Sequence, residues 1–335
     1  MDRLILDSPI DMHLHLRDGD MLNRVIAFSA TNFSAAVVMP NISPPIKSAK
    51  DMLEYKDRIL QSCNRSDFRP LMTLYLHKDI CIEEIKEAQN HNLHGVKLYP
   101  FGVTTNSEDG AKSIFTRNNE EVFEYMQSRN IPLLIHGESS GFCLDREGEF
   151  LMIFEEIAKK YPKLKVVAEH ITTEKVAKAI KHIPNLYGTI TLHHLLITLD
   201  DVIGGSLNPH NFCKPIAKRY EDRDALLELA LSAYEKVCFG SDSAPHLKEK
   251  KECANGAAGI FSAPVLLPML AELFEKHSAL SSLQAFVSDN AKNIFNLQEI
   301  PKKEVVLVRK EFVIPDIYSD VVPFFAGESI GWSYE

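Results

Sequence analysis

The sequence lacks paired cysteines, long apolar runs and an excess of positive charge. Its six cysteines occur singly, and a chain of 335 residues does not need disulfides, so we expect a reduced, cytoplasmic setting. The first residues are too charged for a signal peptide, and no stretch approaches the roughly 18 apolar residues of a membrane span. The net charge of −9 argues against nucleic-acid binding, because phosphate contacts need clustered Lys and Arg. A small anionic substrate remains possible.

No low-complexity segment or Pro/Gly/Ser-rich linker divides the chain, so the sequence predicts one domain over residues 1–335. Short β-branched runs alternate with amphipathic segments of helical period, which predicts a parallel sheet. The predicted strands cover residues 4–15, 35–39, 69–76, 95–99, 131–136, 164–169, 186–191 and 236–241. The predicted helices cover residues 49–61, 82–90, 120–129, 150–160, 173–182 and 222–233. Eight strands favour a closed (β/α)8 TIM barrel, whose active site lies at the carboxyl ends of the strands.

Polar residues, many of them histidines, follow the predicted strands. In chain order they are His13 and His15, Asn41, His77, Lys97, His136, His170, His193 and His194, and Asp242. His13 and His15 are two residues apart, so on a strand both imidazoles point to one face and can share a metal ion. Taken singly, each histidine has a structural alternative, and Asp242 can be a helix N-cap. Their joint occurrence at strand ends favours a metal centre, and the ligand set suits zinc.

Lys97 ends the fourth predicted strand, in the segment HGVKLYP. An ammonium group in a barrel mouth beside cations would be repelled by them. Three interpretations remain open: a buried ion-pair partner, a catalytic amine with a lowered pKa, or a lysine carboxylated by carbon dioxide that bridges two metals. The residues alone do not choose among them.

A series of ordered motifs resembles one known family. The motifs are HLHLRDGD at 13–20, MPN at 39–41, VKLYP at 96–100, TTNS at 104–107, HGE at 136–138, EHITT at 169–173 and SDSAPH at 241–246. They are similar to the shorter, PyrC-type class of bacterial dihydroorotases within the amidohydrolase superfamily. The likeness runs from Met12 to about Pro268, and the segment VPFFAGESIGW extends it over nearly the whole chain.

The resemblance implies a zinc enzyme that reversibly cyclises N-carbamoyl-L-aspartate to L-dihydroorotate in pyrimidine synthesis. It implies two zinc ions per subunit, and the implied ligands are His13, His15 and Asp242 for one ion, His136 and His170 for the other, and a carboxylated Lys97 as the bridge. A bridging hydroxide would be the nucleophile, and Asp242 would be the general base and acid. The family also makes a homodimer an expectation.

The substrate implied by the resemblance carries carboxylates, and a further set of residues is expected to contact it. These residues are Arg17, Asn41, His246, Thr104, Thr105, Lys214 and Ala263. Arg17 lies two residues past His15, so its guanidinium can clamp a carboxylate near the metals. Its structural alternative is an ion pair with Asp18 or Asp20, and that of Asn41 is a turn beside Pro40.

The resemblance also implies a lid over the substrate, and one residue departs from the family pattern. Thr104 and Thr105 would lie in a loop that closes over the substrate, although composition alone predicts only a flexible surface loop. Lys214 stands where many relatives have an apolar residue; the change is tolerable if only its backbone contacts the substrate. His193 and His194 are expected to support the ligands or line the rim, and His77 to be structural.

Two alternatives to a dihydroorotase remain. A hydantoinase or allantoinase would share the metal ligands but would not be expected to share Arg17, Asn41 and the Thr104–Thr105 pair. A barrel that has lost its chemistry should show broken ligands, whereas all six ligand positions here carry competent residues.

Overall fold

Strands and helices alternate along most of the chain in the computed structural model, which describes residues 2–104, 106–297 and 299–335. The strands are β1 (Arg3–Asp7), β2 (Ile10–Leu14), β3 (Ala35–Val38), β4 (Arg69–Tyr75), β5 (Gly95–Leu98), β6 (Leu133–Ile135), β7 (Val166–Ala168), β8 (Leu186–Ile190), β9 (Val237–Phe239), β10 (Glu304–Val313) and β11 (Ser329–Tyr334). The helices are α1 (Gly19–Asn32), α2 (Ala49–Cys63), α3 (Ile82–Asn90), α4 (Arg117–Arg129), α5 (Arg146–Lys160), α6 (Glu174–His182), α7 (Leu192–Leu196), α8 (Asp200–Ile203), α9 (Tyr220–Leu231), α10 (Lys248–Lys251), α11 (Leu266–Lys276) and α12 (Asn290–Phe295).

The strands β2 to β9 form one parallel sheet in sequence order. The edges β2 and β9 approach each other: the Asp242 amide donates to the His13 carbonyl at 2.8 Å, and the His15 amide donates to Ser243 at 3.2 Å. Helices cover the outside, and strands such as β3 are buried along their whole length, as in sheets covered on both faces. The predicted (β/α)8 barrel is confirmed.

The structure divides the first predicted strand, 4–15, into β1 and β2. Pro9 offers no amide hydrogen for a sheet, and Ser8 has a positive φ of 49°, so the chain turns between them. β1 then pairs with β10 instead of joining the barrel, and β10 pairs with β11. The prediction of one continuous strand is therefore wrong, although β2 keeps the spacing of His13 and His15.

The three-stranded sheet β1-β10-β11 packs against helix α11. Trp332 on β11 is fully buried, and its indole nitrogen donates to Glu275 of α11 at 3.0 Å. Leu6, Leu307 and Trp332 belong to the same hydrophobic cluster as the barrel helices, so this sheet and the outer face of the barrel share one core. Among helices of the described ranges, none has the length and apolarity to span a bilayer.

Candidate metal centre and substrate site

The predicted ligands converge at the carboxyl end of the barrel. They are His13 on β2, His15 just after it, Lys97 on β5, His136 after β6, His170 after β7 and Asp242 after β9. Each is at least nine-tenths buried, with His15 the most exposed at 9%. Gly240 lies beneath them: a Cβ there would approach the Cβ atoms of His13 and Thr189 to 3.0 Å, so glycine leaves room for the centre.

His13, His15 and Asp242 form one group of possible ligands, with one atom of each within 4.8 Å of the others. Asp242 Oδ1 lies 3.0 Å from His15 Nε2 and 3.6 Å from His13 Nε2. Ligands on one tetrahedral zinc ion lie roughly 3.3–3.5 Å apart for bonds of about 2.0–2.1 Å, so these separations fit a shared cation. No helix begins at Asp242, and helix α10 has Leu247 as its N-cap, so the N-cap alternative for Asp242 is wrong.

His136 and His170 form a second pair beside the first. His136 Nδ1 lies 3.2 Å from His170 Nε2, and the His170 ring is 4.7 Å from the ring of His13. His136 Nε2 donates to Glu138 Oε2 at 2.8 Å, which leaves the Nδ1 lone pair directed towards His170. The two nitrogens can therefore direct their lone pairs at one cation.

Lys97 lies between the histidine pairs as a fully buried amine. Among the described residues its Nζ has no hydrogen-bond or ion-pair partner, and it lies 5.1 Å from the centre of the Tyr99 ring. Burial lowers the pKa of Lys97 to about 8, against the opposing effect of Glu169 and Asp242. The ion-pair interpretation of Lys97 is therefore not supported, because no carboxylate in the described part of the chain reaches its amine.

The buried imidazoles are set up as neutral ligands. Burial lowers the pKa of His13, and it lowers that of His15 and His170 well below the usual value. The nearby charge of Lys97 adds to the effect for all three. His13 Nε2 and Lys97 Nζ are buried atoms without partners among the described residues. Metals bind neutral imidazole, and orphaned buried polar atoms point to an absent ligand, so these residues fit a metal centre.

Two carboxylates that contact the ligand imidazoles from behind, Glu169 and Glu138, were not predicted. Glu169 Oε2 accepts from His13 Nδ1 at 2.6 Å and from Thr189 at 2.7 Å, and Glu138 accepts from His136. Burial opposes the charged form of Glu169, but His13, Lys97 and the two hydrogen bonds lower its pKa below the usual value. Such partners fix the tautomer and orientation of metal-binding imidazoles.

Asp11 ties β2 to the segment that carries Asp242. Its carboxylate accepts from the Ser241 amide at 2.7 Å, the Ser241 hydroxyl at 2.5 Å and the His13 amide at 3.1 Å. Burial raises the pKa of Asp11 to about 7. The period-two spacing of Asp11, His13 and His15 was the sequence signal for this residue, because all three point into the barrel.

Three residues of the site have positive φ values. Arg17, His170 and Asp242 have φ values of 58°, 41° and 44°. Non-glycine residues in the left-handed region cost about 1–3 kcal/mol each and persist where the surrounding structure imposes them, often at functional sites. Each of the three follows closely on the end of a barrel strand.

Arg17 lies beside His246 at the rim. Its Nη2 is 3.0 Å from His246 Nε2, and its Nε donates to the Pro245 carbonyl at 3.2 Å. Asp18 caps helix α1 and pairs with Arg58 instead, so the alternative of an Arg17–Asp18 ion pair is wrong. Burial, followed by the charge of Arg17, lowers the pKa of His246 to about 3. Arg17 is partly buried, and in the described part of the chain its guanidinium has no carboxylate within ion-pair distance.

Asn41 and the predicted lid are in contact. The Asn106 side chain donates to the Asn41 carbonyl at 2.9 Å, and Tyr75 donates to the Asn106 carbonyl at 3.4 Å. The Thr104 amide donates to Ser107 Oγ at 3.0 Å. The lid prediction for Thr105 lies outside the described residues.

The remaining residues singled out in the sequence have separate surroundings in the structure. The Ala263 amide donates to Ser243 Oγ at 3.1 Å, which leaves its carbonyl for other contacts. Lys214 is half-buried. His193 and His194 lie in the short helix α7 instead of ending a strand. His77 lines a separate cavity of about 520 Å³ beside Lys47 and Phe101, which contains none of the predicted ligands.

Comparisons with known proteins agree with this geometry. Residues 8–299 match the model of the Amidohydrolase family. A dihydroorotase of Helicobacter hepaticus is 47% identical over 98% of this chain and 97% of its own. A crystal structure of dihydroorotase from Campylobacter jejuni superposes with a TM-score of 0.94 at 50% identity, covering 99% of this chain and 97% of its own. Dihydroorotase from Saccharomyces cerevisiae, solved with 5-fluoroorotic acid, gives a TM-score of 0.92 at 34% identity, covering 100% and 99%.

The fold and the histidine-rich barrel mouth indicate the class of protein, and the relatives indicate the particular enzyme family within that class. The chain belongs to the amidohydrolase family and, within it, to the dihydroorotases. Dihydroorotases of this family are metal-dependent hydrolases of a small molecule, and the histidine and carboxylate groups described above are possible metal-binding groups.

Proposed function

We propose that this chain reversibly cyclises N-carbamoyl-L-aspartate to L-dihydroorotate at the barrel mouth. One observation carries the proposal: two groups of buried histidine and carboxylate ligands flank the unpartnered Lys97, with the partly buried guanidinium of Arg17 next to them. An acidic cyclic amide matches that combination, because its ring can lie on the metals while a carboxylate lies on the arginine. The yeast relative was solved in complex with 5-fluoroorotic acid, a carboxylated pyrimidine, which supports a substrate of this class.

Two zinc ions fit the ligand set. His13, His15 and Asp242 would hold one, and His136 and His170 the other, with Lys97 as a bridging carbamate. When bound, the cations supply Lewis acidity to the amide carbonyl and lower the pKa of the attacking water. The lowered pKa of Lys97 supports carboxylation, since carbon dioxide reacts with a neutral amine, and the amine has no competing hydrogen-bond partner among the described residues.

Asp242 would be the residue that moves the proton. Its buried carboxylate lies just after β9, with Oδ1 3.0 Å from His15 Nε2 and 3.6 Å from His13 Nε2, so it would lie beside a water bound at this group of ligands. In hydrolysis Asp242 accepts the proton of the attacking water and gives it to the leaving nitrogen. In cyclisation the same carboxyl group works in reverse.

Substrate recognition is assigned to the residues around Arg17. Arg17, Asn41 and His246 would bind one carboxylate, and the turn containing Thr104 would close over it together with Thr105. The contact between Asn106 and Asn41 supports a lid that lies near the carboxylate site. The carbonyl of Ala263 and the backbone of Lys214 would contact the ring, so the lysine side chain is free to point to the rim.

The proposal includes three broader expectations, which concern domain organisation, cellular setting and partners. Residues 1–335 act as one domain, which the hydrophobic cluster shared by the barrel helices and the three-stranded sheet supports. All six cysteines lie in the described part of the chain and all six are free, which suits a reduced cytoplasmic setting. A homodimer without nucleic-acid partners completes the expected state.

A direct substrate comparison tests the proposal against its alternative. Zinc-loaded protein should interconvert N-carbamoyl-L-aspartate and L-dihydroorotate, and should open an unsubstituted hydantoin far more slowly. The reverse preference would replace the assignment with a hydantoinase. Arg17→Met serves as the matched variant, since it should reduce the turnover of dihydroorotate but not that of an uncharged cyclic amide.

A further inference from the structure

A second cluster of soft ligands lies next to the catalytic centre. His193 and His194 in α7 and Cys213 in the following loop are each buried to at least 98%, and one ligand atom of each lies within 4.8 Å of the others. None of these residues belongs to the predicted catalytic ligand set. Imidazole and thiolate are the side chains that bind zinc and other borderline-soft divalent cations.

The distances within this cluster match those around a tetrahedral ion. Cys213 Sγ lies 3.6 Å from His194 Nε2, and the Pro215 carbonyl lies 3.0 Å from the same nitrogen and 3.2 Å from the sulfur. Ligands on one zinc ion lie roughly 3.3–3.7 Å apart, given bonds of about 2.0–2.3 Å. Three corners of a tetrahedron are therefore nearly in place.

His193 supplies the observation that points to a ligand. It is fully buried, and neither of its ring nitrogens has a hydrogen-bond partner among the described residues. Its ring centre lies 4.4 Å from that of His194, so it is directed at the cluster. A buried imidazole with two unsatisfied nitrogens requires a bound water or ion, and here the neighbours are a thiol and a second imidazole.

A cation at this cluster would replace the thiol proton of Cys213. Burial raises the pKa of Cys213 to about 12, Asp242 and Glu138 add to this effect, and Lys251 and Lys218 oppose it, so the thiolate needs a bound cation to form. Cation binding would displace the thiol proton to solvent and form a metal–thiolate bond. His194 would then bind through Nε2 and donate its Nδ1 hydrogen to Thr191 Oγ1, which lies 2.9 Å away.

We propose that His193, His194 and Cys213, with the Pro215 carbonyl, bind a third cation of the zinc class, separate from the catalytic metals. The occupied site would tie helix α7 to residues 213–215. The effect on substrate binding rests on the proposed function, in which the backbone of Lys214 contacts the substrate ring.

Cobalt(II) substitution tests the site directly, because the catalytic ligands include no sulfur. Protein produced with cobalt in place of zinc should show a cobalt–thiolate charge-transfer absorption in the near ultraviolet. It should also carry about one more cobalt ion per chain than the Cys213→Ser variant, which should lack the band. Cys238→Ser is the matched control: Cys238 is equally buried, at 1%, but lies outside the cluster, so its variant should keep both band and ion.

A second variant guards against a folding defect. His193→Gln keeps the thiol, and we expect its third cobalt ion to bind at least about 10-fold more weakly, as for loss of one ligand. Absence of the band from the wild-type protein, its persistence in Cys213→Ser, or wild-type affinity in His193→Gln would overturn the site. Turnover of dihydroorotate, measured in parallel, tests the catalytic assignment independently, since the thiolate band does not depend on it.

Discussion

Replacement of Glu169 by glutamine should weaken metal binding at the His13 side of the centre. Glu169 Oε2 accepts from His13 Nδ1 at 2.6 Å and from the Thr189 hydroxyl at 2.7 Å, and its side chain is fully buried. The carboxylate keeps the hydrogen on Nδ1, so that the Nε2 lone pair faces the cation. Glutamine has nearly the same shape, but its amide nitrogen can present a donor to Nδ1 and favour the wrong tautomer.

The size of the effect follows from the kind of hydrogen bond that is lost. A bond to an ionised carboxylate is about twice as strong as one between neutral groups. Loss of such a partner behind a metal-binding histidine typically lowers metal affinity about 10- to 100-fold, or about 1.4–2.8 kcal/mol. Because the ligands themselves remain, saturating zinc should restore most of the turnover.

Competition with a chromophoric chelator measures this affinity. Glu87→Gln is the control, since Glu87 also pairs with a histidine, His91, at 3.3 Å, but on the surface and away from the centre. Glu87→Gln should bind zinc like the wild-type protein. If Glu169→Gln also bound zinc with unchanged affinity, the carboxylate would not orient His13 and the reasoning would fail.

Four further substitutions test separate parts of the site. Lys97→Ala should lose the bridge between the metals and nearly all turnover, and two tightly held metals with normal turnover would refute the carbamate. Asp242→Ala should retain some metal but lose proton transfer, so near-normal turnover would count against its role. Arg17→Met should lower kcat/KM for dihydroorotate about 10- to 100-fold, since a charged hydrogen bond contributes about 1.5–3 kcal/mol; an unchanged value would remove Arg17 from the carboxylate site. Glu147→Ala should lower the free energy of unfolding by about 2–6 kcal/mol in urea titrations. The reason is that two buried amides, those of Thr172 and Thr173, lose their acceptor. A loss below about 1 kcal/mol would contradict this.

The ligand positions were predictable because parallel strands bring their carboxyl ends to one mouth. The position of a residue directly after a buried run therefore predicts where it lies, as for His136 and Asp242. These predictions need only the period of the strand and the closure of the barrel. The expected role of Arg17 depended mainly on the resemblance to dihydroorotases, with its spacing to His15 as support.

The partners behind the ligands were not predictable in the same way. Glu169 and His13 are 156 residues apart and meet across the barrel, and no local pattern says which opposite strands contribute touching side chains. Glu138 is easier to predict from the sequence, because it lies two residues beyond His136. The cluster of His193, His194 and Cys213 was missed because α7 is a single short helix inserted where the period predicted only the end of a strand.

Helices α1 and α11 were not predicted, which shows a second limit of reading helices from the sequence. Helix α11 has eight buried residues, Leu266, Leu267, Pro268, Met269, Leu270, Ala271, Leu273 and Phe274. A short, nearly continuous apolar run can belong to a buried strand or to a buried helix, and its period alone does not distinguish them. Helix α1 was missed although Asp18 caps its first turn, since the DGD segment also suits a turn.

A crystal structure of the zinc-loaded protein, with anomalous scattering recorded at the zinc edge, tests the central claim most directly. The proposed mechanism requires two peaks at the barrel mouth, one among His13, His15 and Asp242 and one between His136 and His170. It also requires density for a carboxylate beyond the Lys97 amine, joining the two. A single peak at this mouth with an unmodified Lys97 amine would contradict the two-metal mechanism.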